Sequence, residues 1–469
     1  MEPSNWTTSQ IIEATGGQLL NSSVQRNFTG ISIDSRQIRP DELFVAIKGL
    51  NHDGHDHIKE VIRKGGRGFV IASDQIEQLS VFSSGLPIAD ITVVAVEDTT
   101  TALGDIAAFN RKRANLPVIA ITGSNGKTTT RTMTAAVLSR RFNTLAAEAS
   151  FNNEIGVPLT LLRLNHQHEC IVLELGMNHP GEIRRLARLC LPDIGVITNI
   201  GSAHLEGLGT LENIAKAKGE LLSEIKSSGT AVLNADDHRL MNLAQNVPTK
   251  TLLFGTASSS AQIRAKNIKT QERQTKFTLM FPSDEINVKL NTPGDFMVFN
   301  ALAAASVGYQ MGVPPIEIKN GLEAFQPVKG RMRIATTDRG IHIIDDTYNA
   351  NPDSMKAAIN TLASLKGNQR AVLVIGDMLE LGRHASALHS EIGALAGRQK
   401  LARLYITGEF ASVVARSALK QGFQASSVII GSRSRIIEDL RNWLKLDDWV
   451  LVKGSRGMGM EKIVMGIED

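Results

Sequence analysis

The apolar run Ile119-Ala120-Ile121 leads into Thr122-Gly123-Ser124-Asn125-Gly126-Lys127-Thr128-Thr129-Thr130. That order suits phosphate binding. Gly123 and Gly126 let the main chain approach phosphate oxygens. A helix starting after them aims free N–H groups and its positive dipole end at the same place. Lys127 supplies a full charge, and Thr128 a hydroxyl for Mg²⁺. Ile121 stands five residues before Gly126, where the commoner loop has glycine, so this is the shorter G-x-x-G-K-T form. Alone, the loop implies a nucleoside triphosphate with Mg²⁺ and does not say what the energy drives.

Three further residues have chemistry that burial alone does not explain. Glu174 follows Ile171-Val172-Leu173 at the end of an apolar strand, the end at which open parallel sheets bind ligands. A carboxylate there needs a partner, either an arginine or a Mg²⁺ ion. Lys218 falls on the stripe made by Leu211, Ile214, Leu221, Leu222 and Ile225, whereas Lys216 falls on the opposite side. An inward lysine either snorkels or serves a site. As an ammonium it cannot ligate Mg²⁺; as a carbamate formed with CO₂ it can. His204 follows the strand ending at Thr198, on the same side of the sheet, and is either structural or a ligand.

Other polar clusters stay open between two readings. Arg36 closes a strand and suits either a phosphate or a surface ion pair. Asn51-His52-Asp53-Gly54-His55-Asp56-His57 has the composition of a metal cluster, but reads better as a hydrogen-bonding turn. Arg331 lies in Lys329-Gly330-Arg331. Asp345-Asp346-Thr347-Tyr348-Asn349-Ala350-Asn351-Pro352 follows a strand and suits a polar ligand, a helix cap, or both.

The elements that must position these groups form three α/β domains. Residues 1–114 carry strands at Ile31–Arg36, Leu43–Ile47 and Gly68–Ala72, with Arg111–Leu116 expected as a polar connector. Residues 115–329 hold the loop, a helix over Thr129–Arg141, and buried parallel strands at Ile171–Leu175 and Ile194–Thr198. An antiparallel excursion over 261–290 and helices at Val298–Met311 and Pro315–Phe325 complete that domain. Residues 330–469 alternate strand and helix in the open doubly wound, Rossmann-like manner.

The 469 residues carry a net charge of +4, and the basic residues form no long run, so nothing points to nucleic acid. No stretch reaches 18 uninterrupted apolar residues, the start lacks a signal-peptide pattern, and Cys170 and Cys190 lack metal or redox spacing. The expectation is a cytoplasmic protein without a transmembrane segment, by default a monomer.

The chain resembles the Mur ligases of bacterial cell-wall synthesis. The shortened loop, Asp34-Ser35-Arg36, Asn152-Asn153-Glu154-Ile155-Gly156, Glu174-Leu175-Gly176-Met177, Ala203-His204-Leu205-Glu206, Ala217-Lys218-Gly219-Glu220, Tyr348-Asn349-Ala350-Asn351-Pro352 and Val452-Lys453-Gly454-Ser455-Arg456 carry the likeness across all three domains. Within the family these stretches look most like the ligases that add D-alanyl-D-alanine to UDP-N-acetylmuramoyl-tripeptide. The resemblance implies a UDP-binding first domain, with Ser35, Arg36, Asn152 and Asn153 on the UDP substrate. It implies ATP on Thr122 to Thr129, Asn300 and Arg331. Two Mg²⁺ ions would be held by Thr128, Glu174, His204 and a carbamylated Lys218. Lys127, His204, Lys218, Arg331 and Asp346 (or its neighbour Asp345) would be catalytic. Tyr348, Asn349 and Asn351 would bind the dipeptide.

One segment departs from the family pattern Gly-x-His-Asn-x-x-Asn. Here it reads Gly294-Asp295-Phe296-Met297-Val298-Phe299-Asn300, and only Asn300 is kept, which leaves open how adenine is held. The relative adding the third amino acid fits less well, because no Asp-Asn-Pro-Arg segment is present. A GTPase switch is disfavoured by the lack of Asn-Lys-x-Asp. Whether lysine or diaminopimelate stands third in the tripeptide is not encoded in these motifs.

Overall fold

The computed structural model describes residues 6–20, 26–49, 51–78, 91–148, 150–245, 247–271 and 273–468. It divides into two compact units. One holds residues 1–120, 143–176 and 184–192; the other holds 121–142, 177–183 and 193–469.

In the first unit, β1 (Gln18–Leu19), β2 (Gly30–Ser32), β3 (Glu42–Val45), β4 (Gly68–Ala72) and β5 (Thr92–Val96) form one sheet in the order β1-β5-β4-β3-β2. Only β1 runs antiparallel. Alternation builds a core on each face. Leu43, Val45, Val70 and Val94 meet α1 (Thr99–Ala114) through Leu103 and Ile106, while Phe44, Phe69 and Val93 pack on the other side with Ile58 and Val61. The connector expected at 111–116 is largely helix. α1 continues to Ala114, and Asn115 ends it in the left-handed conformation. Arg111 is buried because its Nε donates to the Cys190 carbonyl oxygen at 2.9 Å. A polar residue type had hidden an interior role.

The chain then passes between the units. β6 (Val118–Thr122) leaves the first at Ala120, and α2 (Lys127–Leu138) lies in the second. α2 begins two residues earlier than the sequence suggests, because Gly126 caps it with φ 80°. β7 (Thr144–Ala146), α3 (Gly156–Leu162) and β8 (Cys170–Glu174) return to the first unit, where β7 and β8 are parallel.

In the second unit β9 (Ile194–Ile197) is followed by α4 (Leu205–Leu208) and α5 (Leu211–Ser223). β10 (Thr230–Asn234), α6 (His238–Ala244) and β11 (Lys250–Gly255) come next. β9, β10 and β11 are parallel neighbours. The antiparallel excursion is β12 (Ile263–Gln271), β13 (Gln274–Met280) and β14 (Glu285–Leu290). α7 (Asp295–Gln310) crosses behind the sheet with Val298, Ala301, Leu302 and Ala305 fully buried.

The last sheet has the order β15-β16-β20-β17-β18-β19, from β15 (Arg333–Thr336), β16 (His342–Asp346), β17 (Ala371–Ile375), β18 (Arg403–Ile406), β19 (Val428–Ile430) and β20 (Trp449–Lys453). All pairings are parallel except β15 with β16. α8 (Pro352–Leu365) follows β16 and starts on a capping box between Asn351 and Ser354. Asp345 and Asp346 lie inside β16 and are buried, not in the loop after it. Each is paired there, which is what lets a strand end on two carboxylates.

Candidate active site

In the second unit the phosphate loop is laced to the turn after β9. Ser124 Oγ donates to the Gly201 carbonyl oxygen at 3.0 Å and accepts from Gly201 N at 2.8 Å. Asn125 N donates to Asn199 Oδ1, and Thr198 Oγ1 donates to the Asn125 carbonyl oxygen at 2.6 Å. Two glycines are sterically required. A Cβ on Gly123 would come 1.9 Å from Thr198 Oγ1, and one on Gly126 would come 2.2 Å from Asn300 Oδ1. Thr122 and Thr129 are buried beside the loop. Asn300 also accepts from Thr130 Oγ1 at 3.2 Å, so it braces the loop from α7.

Lys127 Nζ donates to the Gly123 carbonyl oxygen at 2.9 Å, curling the ammonium over the loop. Arg331 Nη2 donates to Thr128 Oγ1 at 3.3 Å, and its guanidinium lies 4.0 Å from the Tyr348 ring centroid. Arg456 approaches the same ring. Asn351 Nδ2 donates to Asn125 Oδ1 at 2.7 Å, and Ser202 N donates to Asp353 Oδ2 at 2.8 Å. The segments flanking β16 and α8 therefore close onto the loop. Asn351 spends its side chain on this bridge and on capping α8, while Asn349 is exposed.

Asp346 makes no contact with the phosphate loop among the described residues. Its Oδ2 accepts from buried Lys453 at 2.6 Å and its Oδ1 from Met332 N at 3.1 Å. Asp345 accepts from Gly330 N and from Thr347. Both acids thus fix the backbone on either side of Arg331.

Lys218 is 1% exposed on α5, on the stripe with Ile214, Leu221 and Leu222, and Lys216 faces out. Burial, and secondarily the charge of Lys127, drives its amine well below the usual lysine range. His204 has φ 59° and presents Nδ1 to Glu380 Oε2 at 2.7 Å. The approach is short, but the ring is not turned into a straight hydrogen bond. Glu380 had no signal in the sequence, since its partner is remote in the chain.

In the first unit, Glu174 is 2% exposed and accepts from Asn152 Nδ2 at 2.8 Å. Asn153 Oδ1 accepts from Gly156 N, the first residue of α3, at 2.9 Å. Arg36 forks onto Asp34 with two 2.9 Å bonds and stays exposed, while Ser35 is buried. The histidine-rich segment is a turn. Asp53 caps it through His55 N, and His55 Nε2 accepts from Ala72 N. Cys170 and Cys190 are buried thiols, and burial pushes Cys190 up to about 12.

The donor chemistry permits a divalent cation on one condition. Within the second unit Thr128 and His204 offer a hydroxyl and an imidazole. Lys218 fits that set only once its amine carries a carboxylate. A neutral buried amine is the form that reacts with CO₂, so the burial of Lys218 supports that state. No group of three or more His, Cys, Asp or Glu side chains suited to a metal occurs among the described residues, so such a site depends on Lys218 and Thr128.

A glycine loop with a lysine over it, closed by an arginine from a second sheet, is the frame of a nucleotide-using enzyme. Three family models match: the Mur ligase family catalytic domain over 27–111, the Mur ligase middle domain over 121–308, and the Mur ligase glutamate ligase domain over 330–456. The chain is 34% identical to UDP-N-acetylmuramoyl-tripeptide--D-alanyl-D-alanine ligase of Escherichia coli K12, over 99% of this chain and 98% of the relative. Its fold is similar to a crystal structure of MurF from Acinetobacter baumannii, with a TM-score of 0.89, 31% identity and full coverage of both chains. MurF ligase from Thermotoga maritima in complex with ADP matches with a TM-score of 0.80 at 28% identity, covering 94% of this chain and 97% of that one. The chain belongs to the Mur ligase family.

Proposed function

We propose that this chain joins D-alanyl-D-alanine to UDP-N-acetylmuramoyl-tripeptide with cleavage of ATP to ADP and phosphate, giving the pentapeptide precursor of peptidoglycan. The observation that carries the reading is the meeting of Arg331 and Asn351 with Thr128 and Asn125, in a chain alike over its whole length to ligases of that name. We divide it into a UDP-sugar domain (1–114), an ATP domain (115–329) and a dipeptide domain (330–469). Two buried unpaired cysteines suit a cytoplasmic setting.

The chemistry is two substitutions. The tripeptide carboxylate attacks the γ-phosphorus of ATP, the bond to ADP breaks, and an acyl phosphate forms. The dipeptide amine then attacks the acyl carbon. The C–N bond forms, the amine loses a proton, and phosphate leaves. The electrostatic task is to gather anionic groups at one point. Lys127 sits where β- and γ-phosphate oxygens pass over the loop. Arg331, held by Tyr348, brings a second fixed charge from the dipeptide domain. Asp346 and Asp345 position Arg331 by holding Met332 and Gly330. Ser35, Arg36, Asn152 and Asn153 are assigned to the UDP substrate, and Tyr348, Asn349 and Asn351 to the dipeptide. Thr128, Glu174, His204 and carbamylated Lys218 would hold Mg²⁺, which when bound neutralises phosphate charge. Closure keeps water from the acyl phosphate.

Phosphate release tests this reading. It should be negligible with ATP alone and rise only when both the UDP-tripeptide and D-Ala-D-Ala are present, with a pentapeptide product by mass. Steady release without product would identify an ATPase instead. Lysine- and diaminopimelate-containing tripeptides, compared in the same assay, would settle the third residue.

A further inference from the structure

The antiparallel excursion β12–β13–β14 buries one face and turns the other to solvent. Ala265, Phe277, Leu279, Val288 and Leu290 are buried, and Lys276, Thr278, Asn287 and Lys289 alternate with them outside. On the outer face Lys269 stands directly opposite Lys276, and Lys276 directly opposite Lys289. Three lysines thus line up across three strands, with Cβ atoms about 4.5–5.5 Å apart from strand to strand. Lys266 stands in the next row, opposite Thr278. All four lysines are exposed, and none of their ammonium groups has an ion pair or hydrogen bond among the described residues.

Simple alternation does not produce this row. Lys266 and Lys269 are an odd number of residues apart, so in a regular strand they would point to opposite faces. The pairing slips between them. Asn267 and Ile268 together oppose Phe277, a β-bulge in which Asn267 has φ 55°. The extra residue brings Lys269 onto the face of Lys266 and into register with Lys276. Like charges directly opposite each other destabilise a sheet. Edge strands use lysine to keep other strands from pairing, but β13 is a middle strand and has no edge to guard. Two acids lie near. Glu285 is on the same face, four residues along β14 and opposite Met280, and Glu323 accepts from Lys289 N and pairs with Lys319. Neither forms an ion pair with the row among the described residues.

We propose that this face docks on an anionic phospholipid surface. The partner's chemistry follows from what the face offers and lacks. The positions around the row, Gln271, Gln274, Thr278, Asn287 and Asn291, are polar. They give no aromatic platform for stacking bases and no apolar centre of the kind that protein interfaces bury. Lysine is a compact point charge that needs no fixed partner geometry, whereas arginine forks onto a set phosphate or base edge. A fluid headgroup layer supplies negative charge without fixed geometry, and each basic side chain near it strengthens binding about fivefold. The inference does not rest on the ligase reading.

Sedimentation of the full chain with vesicles tests this. With equal parts of phosphatidylglycerol and phosphatidylcholine, the protein should pellet at low salt and be released as salt rises. With phosphatidylcholine alone it should stay in solution. Lys276→Gln should weaken partition about fivefold, and Lys269→Gln, Lys276→Gln and Lys289→Gln together about a hundredfold. Because like charges are being removed, the thermal midpoint of both variants should hold or rise. Lys420→Gln removes the same charge from another exposed site and should leave partition within about twofold. No pelleting with the anionic vesicles, an equal loss from Lys420→Gln, or a lower midpoint for Lys276→Gln would overturn the proposal. Tighter binding to duplex DNA than to the vesicles at the same salt would assign the row to nucleic acid and overturn it as well.

Discussion

Glu380 places its carboxylate 2.7 Å from His204 Nδ1, and both residues hold left-handed backbone, φ 61° and 59°. Such a conformation costs a non-glycine residue about 1–2 kcal/mol. The strain is met by contacts on both sides, because Glu206 N donates to the Glu380 carbonyl oxygen at 2.9 Å. His204 contact holds the Glu380 carboxyl below the usual carboxylate range. With Glu380 lying against Nδ1, Nε2 is the ring nitrogen left for a ligand. A carboxylate behind an imidazole is how metal-binding histidines are commonly oriented, and losing one typically costs 10–100-fold. Glu380→Ala should therefore lower kcat by about tenfold or more and shift the Mg²⁺ dependence to higher concentration. The Mg²⁺ titration is the decisive readout. An unchanged titration would leave the contact as a strut only.

Lys127 tests the loop itself. Its side chain is half-buried and donates to the Gly123 carbonyl oxygen of its own loop, while the loop is also held by Asn199 and Asn300, so Lys127→Ala should fold normally. Removing one positioned donor from a developing phosphate charge costs about 10²–10³ in rate. Ligation should fall at least hundredfold while the thermal midpoint stays within a few degrees. Product formation near the wild-type rate would remove Lys127 from the mechanism.

Much of this was legible in the sequence, and the reason is local. Strand, glycine turn and helix start are contiguous, so the cradle follows from spacing. Lys218 betrayed itself because a 3.6-residue period leaves no other place for it. The residues that escaped depend on distant partners. Arg111 reads as connector until Cys190 is folded beneath it. Asp346 reads as a reactive acid until Lys453 arrives from β20. Glu380 carries no periodicity at all. Asn351 reads as a ligand residue, and in the fold the same side chain caps α8 and bridges to Asn125, since an asparagine before Pro352 serves either purpose.

Gly126 should tolerate nothing larger. Alanine there meets the Asn300 side-chain oxygen at 2.2 Å and must also hold φ 80°. Gly126→Ala should destabilise by about 1–2 kcal/mol from backbone alone. Asn300→Ala in the same chain should recover the steric part and not the conformational part. Denaturant midpoints of the two variants and of the pair would show it. Full recovery in the pair would mean that the backbone strain is negligible.

Lys218 makes a pH prediction. Its amine is neutral in the fold at pH values where the unfolded chain still holds a proton. The unfolded state then binds more protons, so this residue's contribution to stability rises with pH. The penalty is full below the lowered folded value and fades as pH approaches 10.5, the ordinary lysine value. In CO₂-free buffer, Lys218→Met should melt above wild type at pH 7, by about 2–4 °C for each kcal/mol relieved, and the gap should close toward pH 10. Adding ¹³C-bicarbonate should give wild type a carbamate resonance that the variant lacks. A gap independent of pH would mean that the lysine folds charged.

The pair Asp346–Lys453 separates a chemical from a positional role for the acid. Lys453 is 2% exposed and its Nζ is shared between Asp346 Oδ2 and the Asn349 carbonyl oxygen at 2.9 Å. Removing one member of a buried ion pair strands the other and costs about 3–5 kcal/mol, whereas replacing both with apolar residues is often neutral. Lys453→Met should lose that much in urea denaturation, and Asp346→Leu with Lys453→Met should regain most of it. If Asp346 only positions Arg331, the stable double variant keeps measurable ligation with a raised KM for ATP. If Asp346 touches the reacting atoms, the double variant is stable and inactive. Stability and kcat measured together on the same preparation therefore distinguish the two roles, because only the positional one lets activity return with the fold.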